Sequence, residues 1–211
     1  MKTLKESVTP TTHMSRVVRG GFPDRQFDVD FWQKQGDVAI FEAAWEMIAL
    51  TAAFKGTDVE LRPNFKYFLK PLNQNRAKYL IVGGYAVMKY TEPFYTKDMD
   101  IWIDATPENA KRTYQALIQF GAPMADLTVH DLAQQHIVFQ FGMAPARVDV
   151  MTSIDGVSFD EAWNQRVQTH LDDIPISIIS IQHLKQNKKL VSRDTDQIHL
   201  ARLEKYGDQS S

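Results

Sequence analysis

Between Tyr79 and Ile103 the sequence changes period twice: YLIV is a short, continuous apolar run, Gly83-Gly84 interrupts it, YAVMKYT reads as a helix, and DMDIWI returns to strand character. A strand that stops at paired glycines, feeds a helix and is followed by a second strand commits the chain to a sheet with helices packed on it. In the second strand, side chains two apart face the same side, so Asp98 and Asp100 project together while Met99 and Ile101 face the other way. Two anions so placed repel unless a cation lies between them.

The flanking sequence extends the pattern. Val38, Phe41, Trp45, Ile48, Ala49 and Ala52 recur at spacings of three and four, which predicts a helix over residues 37–54 that ends at Gly56. A short helix is expected over 63–70, with Phe65, Phe68 and Leu69 on one face and Pro71 as its stop. Thr106 and Pro107 mark the start of a helix running to Phe120. HIVFQFG and ARVDVMT read as two strands joined tightly by MAP, and Ser158 as the cap of a short helix. QTHLDDIPISIIS offers one or two further strands. Ser180 caps the helix IQHLKQNKKL, and a last helix, 194–206, ends at Gly207. The expected fold is α+β: a small mixed sheet with helices packed on it. Residues 1–26 read as a flexible lead-in, 27–61 as an N-terminal helical extension, 62–206 as the main domain and 207–211 as a tail.

Composition narrows the setting. With 211 residues the chain can bury a real core. A net charge of −2 gives no whole-protein pull toward nucleic acid or an anionic membrane. The absence of cysteine excludes disulfides, thiolate zinc sites and a cysteine nucleophile. The six histidines form no His-x-x-x-His pair with a glutamate, and His130 and His136 read as packing or surface residues. No Gly-x-x-x-x-Gly-Lys loop is present. The apolar run near 40–54 is broken by Glu42 and Glu46, and residues 1–14 have no apolar stretch of a secretory signal, so a cytoplasmic protein with no membrane contact is expected.

Magnesium is the natural cation for paired aspartates, because it takes oxygen ligands and is often held by one or two carboxylates plus substrate phosphates. A third carboxylate is available in ARVDVMT, where Arg147 and Asp149 share one strand face; if that strand lies beside DMDIWI, three acids converge. An isolated Asp-x-Asp is more often just an acidic strand end. A strand, two glycines and a helix N-terminus in front of it, however, form a layout suited to phosphate.

Val82-Gly83-Gly84, thirteen residues (85–97), then Asp98-Met99-Asp100-Ile101 resembles the signature of the nucleotidyltransferase superfamily typified by DNA polymerase beta and its minimal bacterial relatives. GGYAVMKYTEPFYTKDMDIWI, FGMAPARVDVMTSIDGVSFDEAW and ISIQHLKQNKKLVSRDTDQIHLARLEKY are similar to successive blocks of small prokaryotic proteins of that kind, over about 62–206. Some of those relatives are linked to toxin–antitoxin systems.

The resemblance implies a nucleotidyltransferase fold and a magnesium- or manganese-dependent transfer of a nucleoside monophosphate from a nucleoside triphosphate to a hydroxyl of RNA, a small molecule or a protein, with release of pyrophosphate. It implies that Gly83 and Gly84 contact the triphosphate, that Asp98, Asp100 and Asp149 hold the metal, and that Asp149 acts as base. It places Thr96 and Lys97 near the phosphates, although Lys97 reads equally as an offset to local negative charge. Lys188, followed by Arg193 and Asp196, matches a family lysine expected at the triphosphate; where relatives often carry a further acid, this chain has His199. Lys185, Lys188 and Lys189 fall on one helix side, a face for triphosphate or nucleic acid, or simply a solvated face. Trp102 reads as core or as a platform for a base. The alternative is a non-catalytic nucleotide- or partner-binding protein, as in a toxin–antitoxin pair with an antitoxin partner.

Overall fold

The computed structural model describes residues 25–54, 65–124, 126–143, 146–171, 173–191 and 193–207. Most of the lead-in of 1–26, the connection 55–64 and the tail beyond 207 lie outside the described residues, as do two residues of the MAP connection.

Six strands form one mixed sheet: β1 (Tyr79–Ile81), β2 (Asp98–Ile103), β3 (Val138–Met143), β4 (Ala146–Met151), β5 (Val167–Leu171) and β6 (Ile174–Ile178), in the order β3-β4-β2-β1-β6-β5. β2 and β4 run parallel, as do β1 and β6; the other neighbours are antiparallel. The expected α+β class with a mixed sheet is what the chain adopts.

The helices are α1 (Gln26–Gln35), α2 (Asp37–Phe54), α3 (Phe65–Gln74), α4 (Gly83–Tyr90), α5 (Pro107–Phe120), α6 (Val129–Leu132), α7 (Phe159–Asn164), α8 (Ile181–Leu190) and α9 (Asp194–Tyr206). The α5 start is as the sequence suggests, with the Thr106 side chain accepting from the Asn109 amide, Pro107 in the first turn and Gly121 closing the far end in the left-handed conformation. Ser180 likewise accepts from the His183 amide at the start of α8, whereas Ser158 precedes α7 without a side-chain bond.

The expectation at Pro71 needs correction, and two helices were not foreseen separately. Pro71 does not stop α3, which continues to Gln74 with the proline inside it. The ring forfeits the bond to the carbonyl of exposed Tyr67, while Phe68, Leu69 and Leu72 bury completely and hold the helix on the core. Residues 26–35 form a helix of their own, separated from α2 by Gly36 at φ 84°. The second is α6, a single turn set by a reciprocal cap between Thr128 and Asp131.

One sheet face carries Met99, Ile101, Val148, Val150 and Phe141, against which α3 and α5 pack through Phe68 and Phe120. On the other face α4 packs against α2, α8 and α9. Ile40, Phe41, Ala44 and Ile48 of α2 are buried in the same core, with Phe41 against Tyr85. Gln33 of α1 donates to the carbonyls of Lys89 and Thr91 at the end of α4, and Lys89 pairs with Asp37 at 3.1 Å. The half-buried Trp32 packs on the core rather than standing out as an exposed aromatic.

Candidate active-site cleft

The β2–β4 register decides the site. Asp98 lies opposite Arg147 and Asp100 opposite Asp149, so the three carboxylates and one guanidinium share one sheet face at adjacent levels. Parallel neighbours place residues of equal rank side by side, and period two turns Asp98, Asp100, Arg147 and Asp149 to the same side.

Asp100 sits against the N-terminus of α4, where the Gly84 amide bonds to its carboxylate. Gly83 adopts φ 60°, and a Cβ there would stand 1.8 Å from Asp100 Oδ2, so only glycine lets the carboxylate approach. Burial, then the charges of Asp98 and Asp149, push the Asp100 carboxyl up to about 6, against opposing pulls from Lys188 and the Gly84 amide. The site is thus short of positive charge at Asp100.

Arg147 supplies part of what is missing. Its Nη2 lies 2.6 Å from Asp98 Oδ2 and 3.1 Å from Asp149 Oδ2, and its Nε 2.7 Å from Asp149 Oδ1. Those carboxylates hold the guanidinium pKa above its ordinary value, with Asp149 as the largest cause. Gln140, from β3, donates to Asp149 Oδ2 at 2.8 Å. Asp149, only 7% exposed, therefore has both oxygens oriented.

A cleft of about 440 Å³ opens over this face, lined among others by Gly83, Asp100, Gln140, Asp149, Lys188 and Arg193. Lys188 is 6% exposed, and its ammonium pairs with Asp196, itself 3% exposed, which also accepts from Arg193 Nε at 3.0 Å. The single cationic helix side expected of Lys185, Lys188 and Lys189 is not there: Lys188 turns inward, whereas exposed Lys189 pairs with Glu204 at 3.6 Å. His199 has its pKa lowered to about 4 by burial and by Lys188 and Arg202, and its ring lies tilted against Phe94 at 5.0 Å.

Of the residues singled out from sequence, Gly83, Asp100, Asp149, Lys188 and Arg193 line the cleft together. Asp98 stands behind Arg147, with Thr96 Oγ1 3.4 Å from Asp98 Oδ1, while exposed Lys97 lies outside the lining. Trp102 is core, 2% exposed. Sequence reasoning passed over Gln140, whose only signal was its place in an alternating strand, and gave Arg147 no role beyond its strand face.

Among the described residues no three His, Cys, Asp or Glu side chains are arranged to hold a metal ion, since Asp98 and Asp149 are turned onto Arg147. The donor set itself, oxygen only and deficient in positive charge at Asp100, suits magnesium or manganese. No described helix is long and apolar enough to cross a membrane.

No protein-family model and no curated protein sequence matches the chain. Six chains of solved structures do. One is the lincomycin-bound crystal structure of the lincosamide antibiotic adenylyltransferase LnuA, 17% identical, with a TM-score of 0.44, covering 66% of this chain and 94% of that one. A likeness of that degree says nothing of what this chain acts on.

Proposed function

We propose that the cleft binds a nucleoside triphosphate with magnesium or manganese and transfers its nucleoside monophosphate to a hydroxyl acceptor. The observation that carries this reading is the Asp100–Asp149 pairing across parallel strands, with Asp98 on the same face and the glycine turn of α4 beside them.

Asp98, Asp100 and Asp149 would hold the metal, which when bound neutralises phosphate charge and makes the α-phosphorus more electrophilic. Gly83, at the start of α4, together with Lys188 and Arg193, lines the space that a triphosphate would occupy, and the helix N-terminus favours negative charge there. Asp149 accepts the proton of the attacking hydroxyl. The hydroxyl oxygen bonds to the α-phosphorus, the bond from that phosphorus to the bridging oxygen breaks, and pyrophosphate leaves with the electron pair. Gln140 and Arg147 orient Asp149 for this role.

Each nucleoside triphosphate, radiolabelled at the α- or the γ-phosphate, is offered with either metal to an extract containing RNA, protein and small molecules. Incorporation of the α-label alone is expected; incorporation of the γ-label would make the reaction phosphoryl transfer and sink the reading. A second reading, nucleotide or partner binding without turnover, is favoured by Arg147 already occupying the space between Asp98 and Asp149. Binding of triphosphate without any transfer would select it.

A further inference from the structure

A second cavity, of about 390 Å³, lies beside the cleft, and the two share His136, Ser153 and Ile154 along a common ridge. It sits along the same strand faces: the pair Trp102–Met151 follows Asp100–Asp149 by two residues, about 7 Å along the sheet. The ridge is built rather than incidental. His136 holds φ 65°, unusual for a residue with a side chain, while its amide donates to Ser153 Oγ at 3.0 Å and its Nδ1 lies 3.2 Å from the same oxygen.

The cavity walls combine an aromatic corner with acceptors. Trp102 and Phe159 meet edge to face at 5.0 Å, and Trp163 stacks behind Phe159. The indole Nε1 of Trp102 is buried without a hydrogen-bond partner among the described residues, a cost that wall packing alone does not explain. Asp104 and Asp160 supply carboxylates, and among the described residues no lysine or arginine lines the space. Lys78 approaches Asp104 only to 4.0 Å, and Thr106 Oγ1 bonds to the same carboxylate at 3.3 Å. The N-terminal ends of α5 and α7 also open here, each worth about half a positive charge, which two full carboxylates outweigh.

We propose that this second cavity is the acceptor site of the transfer reaction and takes a small, polyhydroxylated, non-anionic molecule. The volume is in the range of small-molecule sites. Carboxylates accept from hydroxyl groups, and an aromatic corner covers the apolar face of a sugar-like ring. A polyanionic nucleic acid would need neutralising cations that this lining lacks. The shared ridge lets one hydroxyl reach the cleft, where its oxygen bonds to the α-phosphorus, its proton passes to Asp149 and pyrophosphate departs.

This assignment rests on the nucleotidyl-transfer reading. The test incubates the full chain with magnesium and an α-labelled nucleoside triphosphate in an extract afterwards separated into RNA, protein and dialysable small molecules. Label in the dialysable fraction is expected, on a polyhydroxyl acceptor without acidic groups identified by mass spectrometry. Asp160→Lys, at an exposed position, should raise the acceptor KM about tenfold, and Asp160→Asn by less, with triphosphate KM and melting temperature unchanged. Label in RNA or protein, an anionic acceptor, or an unchanged acceptor KM in Asp160→Lys would overturn the assignment while leaving nucleotidyl transfer intact. No label in any fraction, with metal-dependent triphosphate binding preserved, also overturns it; loss of that binding removes the underlying reading as well.

Discussion

Arg147 Nη2 stands 2.6 Å from Asp98 Oδ2 on the neighbouring strand, so a fixed cation already ties together two acids that otherwise repel. Truncation in Arg147→Met leaves Asp98 and Asp149 facing each other uncompensated and should cost the metal-free protein about 1–3 kcal/mol. Thermal melts in a chelator should fall by several degrees, and saturating magnesium should restore more stability to the variant than it adds to wild type. Equal magnesium effects on both would show that ion and guanidinium do not serve the same carboxylates.

Gly83 and Gly84 are adjacent but not equivalent. Alanine at Gly83 meets Asp100 Oδ2 and must hold φ 60°, whereas alanine at Gly84 meets the Thr96 side chain, with Oγ1 at 2.9 Å, and has no positive φ to hold. Gly83→Ala should therefore destabilise by about 1–3 kcal/mol and abolish transfer, because it displaces Asp100. Gly84→Ala should retain more of both. Urea unfolding and transfer rates measured side by side decide it.

Lys188 and Asp196 form a buried ion pair, and removing one member strands the other. Lys188→Met and Asp196→Asn should each cost about 3–5 kcal/mol, and the double variant less than their sum. A double-mutant cycle from denaturant unfolding gives the coupling directly. Additive losses would mean that the pair is not a stabilising unit.

His199 is held neutral, its pKa lowered to about 4 in the fold against about 6.5 for a free imidazole. A depressed histidine contributes stability that is fully present above the free value and is lost as pH falls through the folded one. Wild type should lose melting temperature between about pH 6.5 and 4 by more than His199→Phe, which keeps a ring beside Phe94 but cannot titrate. Parallel curves would place the acid sensitivity elsewhere.

The strand-glycine-helix-strand unit was legible because period two and period 3.6 are local signals, and Asp98 and Asp100 share a face in any strand. That Asp149 joins them was legible only as a condition on strand pairing and through the family resemblance, since the pairing of β2 with β4 depends on sheet order, which local periodicity does not encode. Sheet order also decides the roles of Arg147 and Gln140, whose partners lie across strands. The cationic side shared by Lys185, Lys188 and Lys189 misled, because the Lys188 counter-ion comes from α9, beyond any spacing rule within one helix. Pro71 misled because propensity yields to burial of Phe68, Leu69 and Leu72.

The central claim, that the cleft over Asp100 and Asp149, with Asp98 on the same sheet face, is a metal–triphosphate site, is tested most directly without knowing the acceptor. Manganese is titrated into the protein with a non-hydrolysable nucleoside triphosphate, and free ion is followed by electron paramagnetic resonance. Saturable, triphosphate-dependent binding is predicted for wild type, weakened at least about tenfold in Asp100→Asn and Asp149→Asn with folding retained. Equal manganese binding by wild type and both variants would contradict the account.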